Sequence, residues 1–296
     1  MSLPILPPFV LGLLALCPVV AQAKIERVIE KTFAVSPGGS LRIDTRGGEI
    51  RVTPSSESMV KVTAREKIRA STEAEADELL KKLELTIEQS GNDVTAIARY
   101  EKQSVGFHFG AWPPVTVDFI VSVPASFVTD LHTSGGGITV GDMAGRVSAH
   151  TSGGSIKLGQ IGAAVKARTS GGNITVGRVA GPAELSTSGG GIKIESVQHA
   201  VHARTSGGSI RANIAGPLKE DCVLSTSGGS VQVAVERSAA FQLDASTSGG
   251  SVDAEGLTIT IGSSSRGRSK LAGSVNGGGP LLKLRSSGGG IVIRPE

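Results

Sequence analysis

A four-residue motif, Thr-Ser-Gly-Gly, recurs along this chain at nearly constant spacing. It begins at Thr133, returns four times at intervals of 18 residues, and then twice at intervals of 21 residues. Variants of the motif begin at Thr45 and Ser286. A short fixed period is the signature of a repeat architecture, in which each unit packs against its neighbours. The motif positions are Thr45, Thr133, Thr151, Thr169, Thr187, Thr205, Thr226, Thr247 and Ser286.

Apolar residues alternate with polar ones on both sides of the motif. Counting the motif Thr as position zero, positions five and seven are apolar, as with Ile156 and Leu158. Two and four residues before the Thr, Ala149 and Val147 continue the pattern. Each repeat therefore contains two half-apolar strands around a Gly-Gly corner, and neither strand can bury its apolar side unless repeats stack about 4.8 Å apart. We predict an all-β fold, a single-stranded β-solenoid with one short helix in its N-terminal part.

The spacing also separates two kinds of solenoid. A left-handed hexapeptide helix would need aliphatic residues at positions eleven and seventeen, where Gly162 and Arg168 stand in one repeat. We therefore expect a right-handed β-helix or roll, the hand that parallel crossovers favour. The repeated glycines are interpreted as structural corners, where Gly supplies backbone angles that other residues resist.

The first 23 residues have the features of an export signal. An apolar stretch, residues 5–20, is interrupted by prolines and followed by Ala21-Gln22-Ala23, a small-x-small cleavage signature. The stretch is too short and too rich in proline for a membrane span. We predict a mature chain that begins at Lys24, has no transmembrane span and is extracytoplasmic: periplasmic, on the cell surface or secreted. Cleavage leaves Cys222 as the sole cysteine, so no intramolecular disulfide can form.

Residues 24–132 interrupt the repeat with other material. Thr72-x-x-Glu75 is a capping box that predicts a short helix extending through Leu83. We expect this part to be continuous with the solenoid and to pack on its flank or end. Arg294-Pro295-Glu296 should close the other end, because proline and charge discourage edge pairing. The predicted divisions are a signal peptide at 1–23, N-terminal strands and helix at 24–132 (strands at 85–89, 94–100 and 115–123), and the repeat solenoid at 133–296.

Repeated strands after a signal peptide and a short helical segment carry a family resemblance. The coils, and in particular the closing run 271–293 with its Ser-Ser-Gly-Gly-Gly-Ile-Val-Ile, resemble the bacterial putative-adhesin family of β-strand-repeat proteins. The resemblance covers roughly residue 25 to the end. It implies a β-helical fold outside the cytoplasm, and it brings no catalytic residues.

Charge and motif content argue against several kinds of site. The net charge is only +4 and aromatic residues make up 3% of the chain, so a nucleic-acid-binding surface is not expected. Calcium-loaded repeats need an acidic residue in every turn, whereas Asp142 is matched by Gln160 and Arg178. We therefore predict no metal, no cofactor and no catalytic residues.

Two weak candidates for binding remain. The outward position before the motif Thr holds His132, His150, Arg168 and Arg204, which could form an anion- or glycan-binding stripe. The alternative is a solvated polar surface that keeps the solenoid soluble.

The other candidate is a Gly- and Pro-rich loop that contains Phe107, Phe109 and Trp112. These aromatic residues could contact a partner or could cover the open end of the core.

The sequence leaves three functional hypotheses open. The first is an exported structural or interaction protein with an extended adhesin-like binding surface, whose partner would be an envelope protein or a surface glycan. The second is a carbohydrate-active β-helix enzyme, which would need outward carboxylates clustered in one groove. The third is an envelope-stress or assembly accessory protein that binds through the aromatic loop. We favour the first.

Overall fold

The computed structural model describes residues 24–100, 113–261 and 266–296. Within them, strands form one sheet of 12 and one of 14 strands, and one helix lies in the N-terminal part. The predicted all-β solenoid with one short helix is confirmed. The predicted signal peptide and the loop with Phe107, Phe109 and Trp112 lie outside the described residues. The hand of the solenoid and the domain boundaries stay predictions.

Each copy of the repeated motif joins two strands at a corner, and we call this unit a coil. Coils are numbered in chain order, from coil 1 at Thr45 to coil 9 at Ser286. The first strand of every coil belongs to the 14-stranded sheet and the second to the 12-stranded sheet. The N-terminal part contains β1 (Lys24–Ala34), β2 (Ser40–Thr45) and β3 (Ile50–Ser55) of coil 1, β4 (Met59–Arg69), α1 (Glu73–Leu80), β5 (Leu83–Ser90), β6 (Asp93–Tyr100) and β7 (Val115–Pro124).

Coils 2 to 7 stack in chain order, with equal motif positions side by side in parallel strands. Ala149 pairs with Leu131 and Ala167, and Ile156 pairs with Ile138 and Ile174. The remaining strands are β8 (Val128–Thr133), β9 (Ile138–Val140), β10 (Val147–Thr151), β11 (Ile156–Leu158), β12 (Val165–Arg168), β13 (Ile174–Val179), β14 (Ala183–Ser186), β15 (Ile192–Val197), β16 (Val201–Thr205), β17 (Ile210–Ile214), β18 (Cys222–Thr226), β19 (Val231–Val235), β20 (Phe241–Thr247), β21 (Val252–Asp253), β22 (Ile259–Thr260), β23 (Arg266–Gly267), β24 (Lys270–Val275), β25 (Leu281–Ser286) and β26 (Ile291–Pro295).

The two sheets enclose one continuous apolar core. The inward positions predicted from the period-2 pattern are buried, as with Ala149 and Ile156. A further apolar stack, which the sequence analysis had not identified, stands at position ten, where Met143, Ile161 and Val179 pair in parallel and are buried. Full burial of each such aliphatic side chain contributes about 1.5–3 kcal/mol, so stability rests on the stack of coils as a whole.

Hydrogen bonds between coils explain the motif's threonine. The buried Thr151 hydroxyl donates to the Gly136 carbonyl of the preceding coil at 2.8 Å. The same oxygen accepts from the backbone N–H of Gly154 in its own coil at 3.3 Å. Equivalent bonds from the motif hydroxyl recur along the stack. A hydroxyl at this position therefore satisfies buried backbone groups that would otherwise be unpaired at each corner.

The corner glycines are required by close approach and not by unusual backbone angles. A Cβ added to Gly154 would lie 2.1 Å from the carbonyl oxygen of Gly136. In the described part of the chain, positive φ angles at glycine occur at Gly38, Gly91, Gly216, Gly256, Gly277 and Gly278, none of which is in a motif corner. The expectation that these glycines supply angles closed to other residues is wrong, because the constraint is the distance between stacked corners.

The N-terminal part covers one end of the stack, as expected. β6 pairs in parallel with β2, β7 pairs in parallel with β3, and β4 and β1 then extend the second sheet antiparallel. Helix α1 begins after Thr72, whose hydroxyl accepts from the Glu75 backbone N–H at 3.2 Å. The helix ends at Leu80, and Leu83 already begins β5. The predicted extension of the helix to Leu83 is therefore wrong, because Leu83 pairs with Tyr100 in a β-hairpin.

At the C-terminal end the coils leave chain order. β25 pairs with β18 on one side and β20 on the other, so coil 9 lies between coils 7 and 8. The motif hydroxyls follow this order, because Ser286 donates to Gly229 and Thr247 donates to Gly289. The prediction that residues 294–296 close this end is wrong. β24 covers the outer edge of β20, and β26 is an interior strand between β19 and β21.

Candidate functional site

The solvent side of the 14-stranded sheet, which we call the ladder face, carries the histidines and arginines singled out from the sequence. The strand register makes His132 the neighbour of His150, and His150 the neighbour of Arg168. Arg204 lies two coils beyond Arg168, after Ser186. The structure thus brings three of the four candidates together and continues their column to the fourth.

The carboxylates of the ladder face are paired with basic side chains, whereas Arg42, Arg204 and Lys283 there form no ion pair among the described residues. Glu184 accepts from Arg168 and lies 3.5 Å from the Lys166 ammonium. The hydrogen bond from Arg168 lowers the pKa of Glu184 below its usual value. The outward residues one and three positions before the motif Thr form two columns on this face. Every carboxylate in these two columns has a basic neighbour, in the pairs Asp44–Arg99, Asp130–His132, Glu184–Arg168 and Asp244–Arg285.

The two neighbouring histidines differ in their surroundings. The rings of His132 and His150 are 5.8 Å apart between centroids, and His132 is 2.9 Å from the Asp130 carboxylate. Partial burial lowers the pKa of His150, and His132 and Arg168 lower it further. His150 is therefore harder to protonate than an exposed histidine.

The solvent side of the 12-stranded sheet, which we call the groove face, has a different character. One outward residue per coil, six positions after the motif Thr, forms a column in register. From coil 1 to coil 5, basic residues alternate with threonines along this column. In coils 5 and 6, two basic residues are direct neighbours. From coil 1 to coil 7 the column contains Arg51, Thr139, Lys157, Thr175, Lys193, Arg211 and Gln232.

A row of glycines, which we call the glycine lane, runs beside part of this column. Two residues after the column position, coils 2, 3 and 4 carry Gly141, Gly159 and Gly177. The Pro54 ring lies against Gly141, and the Asp142 carboxylate lies against Gly159. Three contiguous concavities, of about 370, 290 and 470 Å³, extend along the face from this lane toward coil 9. The first and second concavities share Thr175, and the second and third share Lys193 and Arg211, so together they form one shallow groove.

Cations in the groove outnumber carboxylates by five to two. Lys193 lies 3.4 Å from Glu195, and the Arg211 guanidinium donates to Gln232 at 3.0 Å. Within the described part of the chain, Lys157 forms no ion pair. The lining cations are Lys157, Arg178, Lys193, Arg211 and Arg294, and the carboxylates are Asp142 and Glu195.

The groove face was not predicted from the sequence, although the signal was present. The predicted binding residues stand at the position before the motif Thr, whereas the basic residues of the groove recur six positions after it. The glycine lane was also readable at position eight of three successive repeats. A single repeat does not show that these positions lie on one open surface. Whether the surface is open depends on the size and the ion pairing of side chains in neighbouring coils.

Reactive groups are sparse on both faces. The described residues contain no cluster of three or more His, Cys, Asp or Glu side chains suited to a metal ion. Cys222 is buried, and burial raises the pKa of its thiol, so it is a poor nucleophile. Among the described residues, no helix is long and apolar enough to cross a membrane.

Comparison with known proteins places these features in a family. The fold is similar to a putative adhesin from Bacteroides fragilis (12% identity, TM-score 0.44) and one from Parabacteroides distasonis (11%, 0.42), each covering 90% of this chain and 97% of its own. A putative cell adhesion protein from Clostridium sporogenes is also similar (12%, 0.31, covering 91% and 100%). No curated protein matches the chain significantly. The Toastrack DUF4097 model matches residues 39–291, and the chain therefore belongs to the Toastrack DUF4097 family.

Proposed function

We propose that this chain is an exported, adhesin-like binding protein that holds an extended ligand against its solenoid and catalyses no reaction. The observation that carries the proposal is the groove face, where one shallow groove crosses several coils. A stack of coils presents the same side-chain position every ~4.8 Å. Such a surface repeats one contact many times, which suits a polymer better than a small molecule.

The arrangement of carboxylates supports binding over hydrolysis. Glycoside hydrolysis uses two carboxyl groups roughly 5–10 Å apart on either side of the scissile bond. The two carboxylates of the groove, Asp142 and Glu195, follow coils 2 and 5, three strand spacings or ~14 Å apart along the stack. Asp142 accepts from the Gln160 backbone N–H at 2.7 Å, and Glu195 is engaged by Lys193. Each carboxylate therefore already has a partner of its own.

Export is supported by the Ala21-Gln22-Ala23 signature and by the family resemblance. Fractionation of cells that express the full chain, followed by N-terminal sequencing, tests it. We expect a mature N-terminus at Lys24 in the envelope or the medium. An intact Met1 in the cytosol would contradict export.

Binding itself is tested with the purified chain from Lys24 onward, incubated with intact cells and isolated envelopes. We expect salt-sensitive retention on the surface, because exposed charges are screened at high ionic strength. The same samples are assayed for new reducing ends in added polysaccharides. Failure to bind any surface, or release of reducing ends, would overturn the proposed function.

A further inference from the structure

The spacing of charge on the groove face identifies a class of ligand. Arg51, Lys157 and Lys193 occupy the same column in coils 1, 3 and 5, and Thr139 and Thr175 separate them. From coil 1 to coil 5, successive cations are therefore two strand spacings apart, ~10 Å, and Arg211 in coil 6 follows Lys193 after one spacing. We infer that the groove binds a linear acidic polysaccharide that carries one carboxylate or sulfate on every second sugar ring. The inference rests on the proposed binding function and specifies its ligand.

The geometry of an extended sugar chain matches this column. A pyranose ring in such a chain advances by about one strand spacing, so each ring would lie over one coil. In the groove, anionic rings would then meet Lys157 and Lys193, and the ring between them would meet the Thr175 hydroxyl. Beyond the groove, Thr139 and Arg51 continue the same column. Threonine hydroxyls both donate and accept hydrogen bonds, as sugar hydroxyls do.

The surface beside the column leaves room for the rings. Gly141, Gly159 and Gly177 have no side chain of their own, although the Pro54 ring lies against Gly141 and the Asp142 carboxylate against Gly159. The concavity of about 370 Å³ lies over Gly159 and Gly177. The Lys157 and Lys193 side chains are exposed at the rim of this groove. A polymer lying in the lane could thus contact both ammonium groups without displacing a core residue.

Charge density distinguishes a polysaccharide from nucleic acid. Duplex DNA carries one charge per ≈1.7 Å, about six for every cation spaced ~10 Å apart in the column. Single-stranded nucleic acid is bound by aromatic platforms on which bases stack, and the groove has no aromatic lining residue among those described. The sparse cations and hydroxyls therefore complement a polymer of lower charge density.

The test measures binding of the chain from Lys24 onward to hyaluronan oligosaccharides, which carry a carboxylate on every second ring. Chitin oligosaccharides of equal length are the uncharged control, and single-stranded DNA is the dense polyanion. We expect binding to hyaluronan, little binding to chitin, and weaker binding to DNA at the same ionic strength. Lys157→Glu/Lys193→Glu should weaken hyaluronan binding by roughly tenfold or more.

A matched pair of changes controls for net charge. Arg204→Glu/Lys283→Glu alters the charge equally on the ladder face, at two cations that form no ion pair within the described residues. This variant should retain hyaluronan binding within about twofold, because screened charges on the opposite face act weakly. Equal losses in the two double variants, or DNA bound as tightly as hyaluronan, would overturn the inference.

The period of the ligand is tested with Thr175→Lys, which places a cation in each of the four successive coils 3 to 6. This change should increase affinity for polygalacturonate, with a carboxylate on every ring, more than affinity for hyaluronan. An equal gain for both polymers would contradict the spacing argument. The chain could bind cell surfaces without binding hyaluronan, and Lys157→Glu/Lys193→Glu could leave that surface binding unchanged. In that case the inference about the ligand fails while the proposed function stands. If the chain binds no surface at all, the proposed function fails.

Discussion

The two faces of this solenoid are built from the same coils, yet their charges are arranged differently. On the ladder face, Glu184 is held by both Arg168 and Lys166, and the other carboxylates there are similarly paired. On the groove face, Lys157 stands without an ion pair among the described residues, beside a lane of glycines. Unpaired cations stand on both faces, since Arg204 and Lys283 of the ladder face form no ion pair within the described residues. What distinguishes the groove face is a continuous groove that crosses several coils beside its cations.

The largest effect on folding should come from deleting part of a coil, because each coil contributes one strand to each face. Deleting residues 150–167 removes one full period and joins Ala149 to Arg168, so that every inward residue still meets an inward residue. Deleting only 150–158 removes one strand and a corner, which leaves neighbouring strands unpaired. We expect the first variant to fold with similar β content, and the second to aggregate or be degraded. Circular dichroism and soluble yield measure this difference, and equal behaviour of the two would mean that the 18-residue period is not a structural unit.

A smaller loss of stability is expected when a side chain is added at the glycine corner that joins the two strands of a coil. Gly154→Ala would place a Cβ 2.1 Å from the Gly136 carbonyl oxygen, which belongs to a backbone that cannot move independently of its coil. The overpacking should lower the free energy of unfolding by about 1–3 kcal/mol or more. Gly153→Ala is the matched control, because its nearest contact would be 3.4 Å. Denaturant titration should separate the two variants; coincident midpoints would show that stacked corners tolerate a side chain.

The ion pairing of the ladder face can be broken without touching the core. Glu184→Gln removes the carboxylate that engages Arg168 and Lys166. It should change hyaluronan binding by no more than about twofold, because screened charges on the opposite face act weakly. Glu195→Gln removes the carboxylate that engages Lys193 in the groove, and it should strengthen hyaluronan binding by about threefold. Equal effects of the two changes on hyaluronan affinity would mean that the two faces do not differ as binding surfaces.

The smallest expected effect concerns pH. The pKa of His150 is lowered in the folded chain from its ordinary value of 6.5, mainly by burial and then by His132 and Arg168. Between the lowered value and 6.5 the unfolded state binds more protons, so this group decreases the free energy of unfolding as pH falls through that window. His150→Gln should remove that part of the acid sensitivity. Denaturant midpoints compared at about pH 7.5 and about pH 5 would reveal it, and parallel pH profiles would contradict it.

Much of the core could be predicted because apolar residues recur at the same inward positions in several successive repeats. Ile156 and Ala149 were assigned correctly from alternation alone. The position-ten stack of Met143, Ile161 and Val179 was not identified, because it lies beyond the two period-2 strands that flank the corner. The reason for the corner glycines was also predicted wrongly. The close approach of stacked corners is a contact between coils, and the sequence of a single coil does not show it.

The candidate site was less predictable than the core. The stacking of His132, His150 and Arg168 follows directly from the period. Whether a charged side chain is open to a ligand depends on partners in other coils, as Glu184 shows for Arg168. The order of the last coils was likewise hidden, because coils 8 and 9 carry equivalent inward residues and either could pack against coil 7 by pattern alone.

The interleaved end also dictates when the molecule can be completed. As the chain emerges during synthesis, β20 becomes available before β25, yet β25 fills the place between β18 and β20. In the native order, coil 8 therefore gains its parallel neighbour only after residues 281–295 have appeared. Because β25 and β26 bond to strands on both sides, the native connection of coil 8 to the rest of the stack depends on this last segment of the chain.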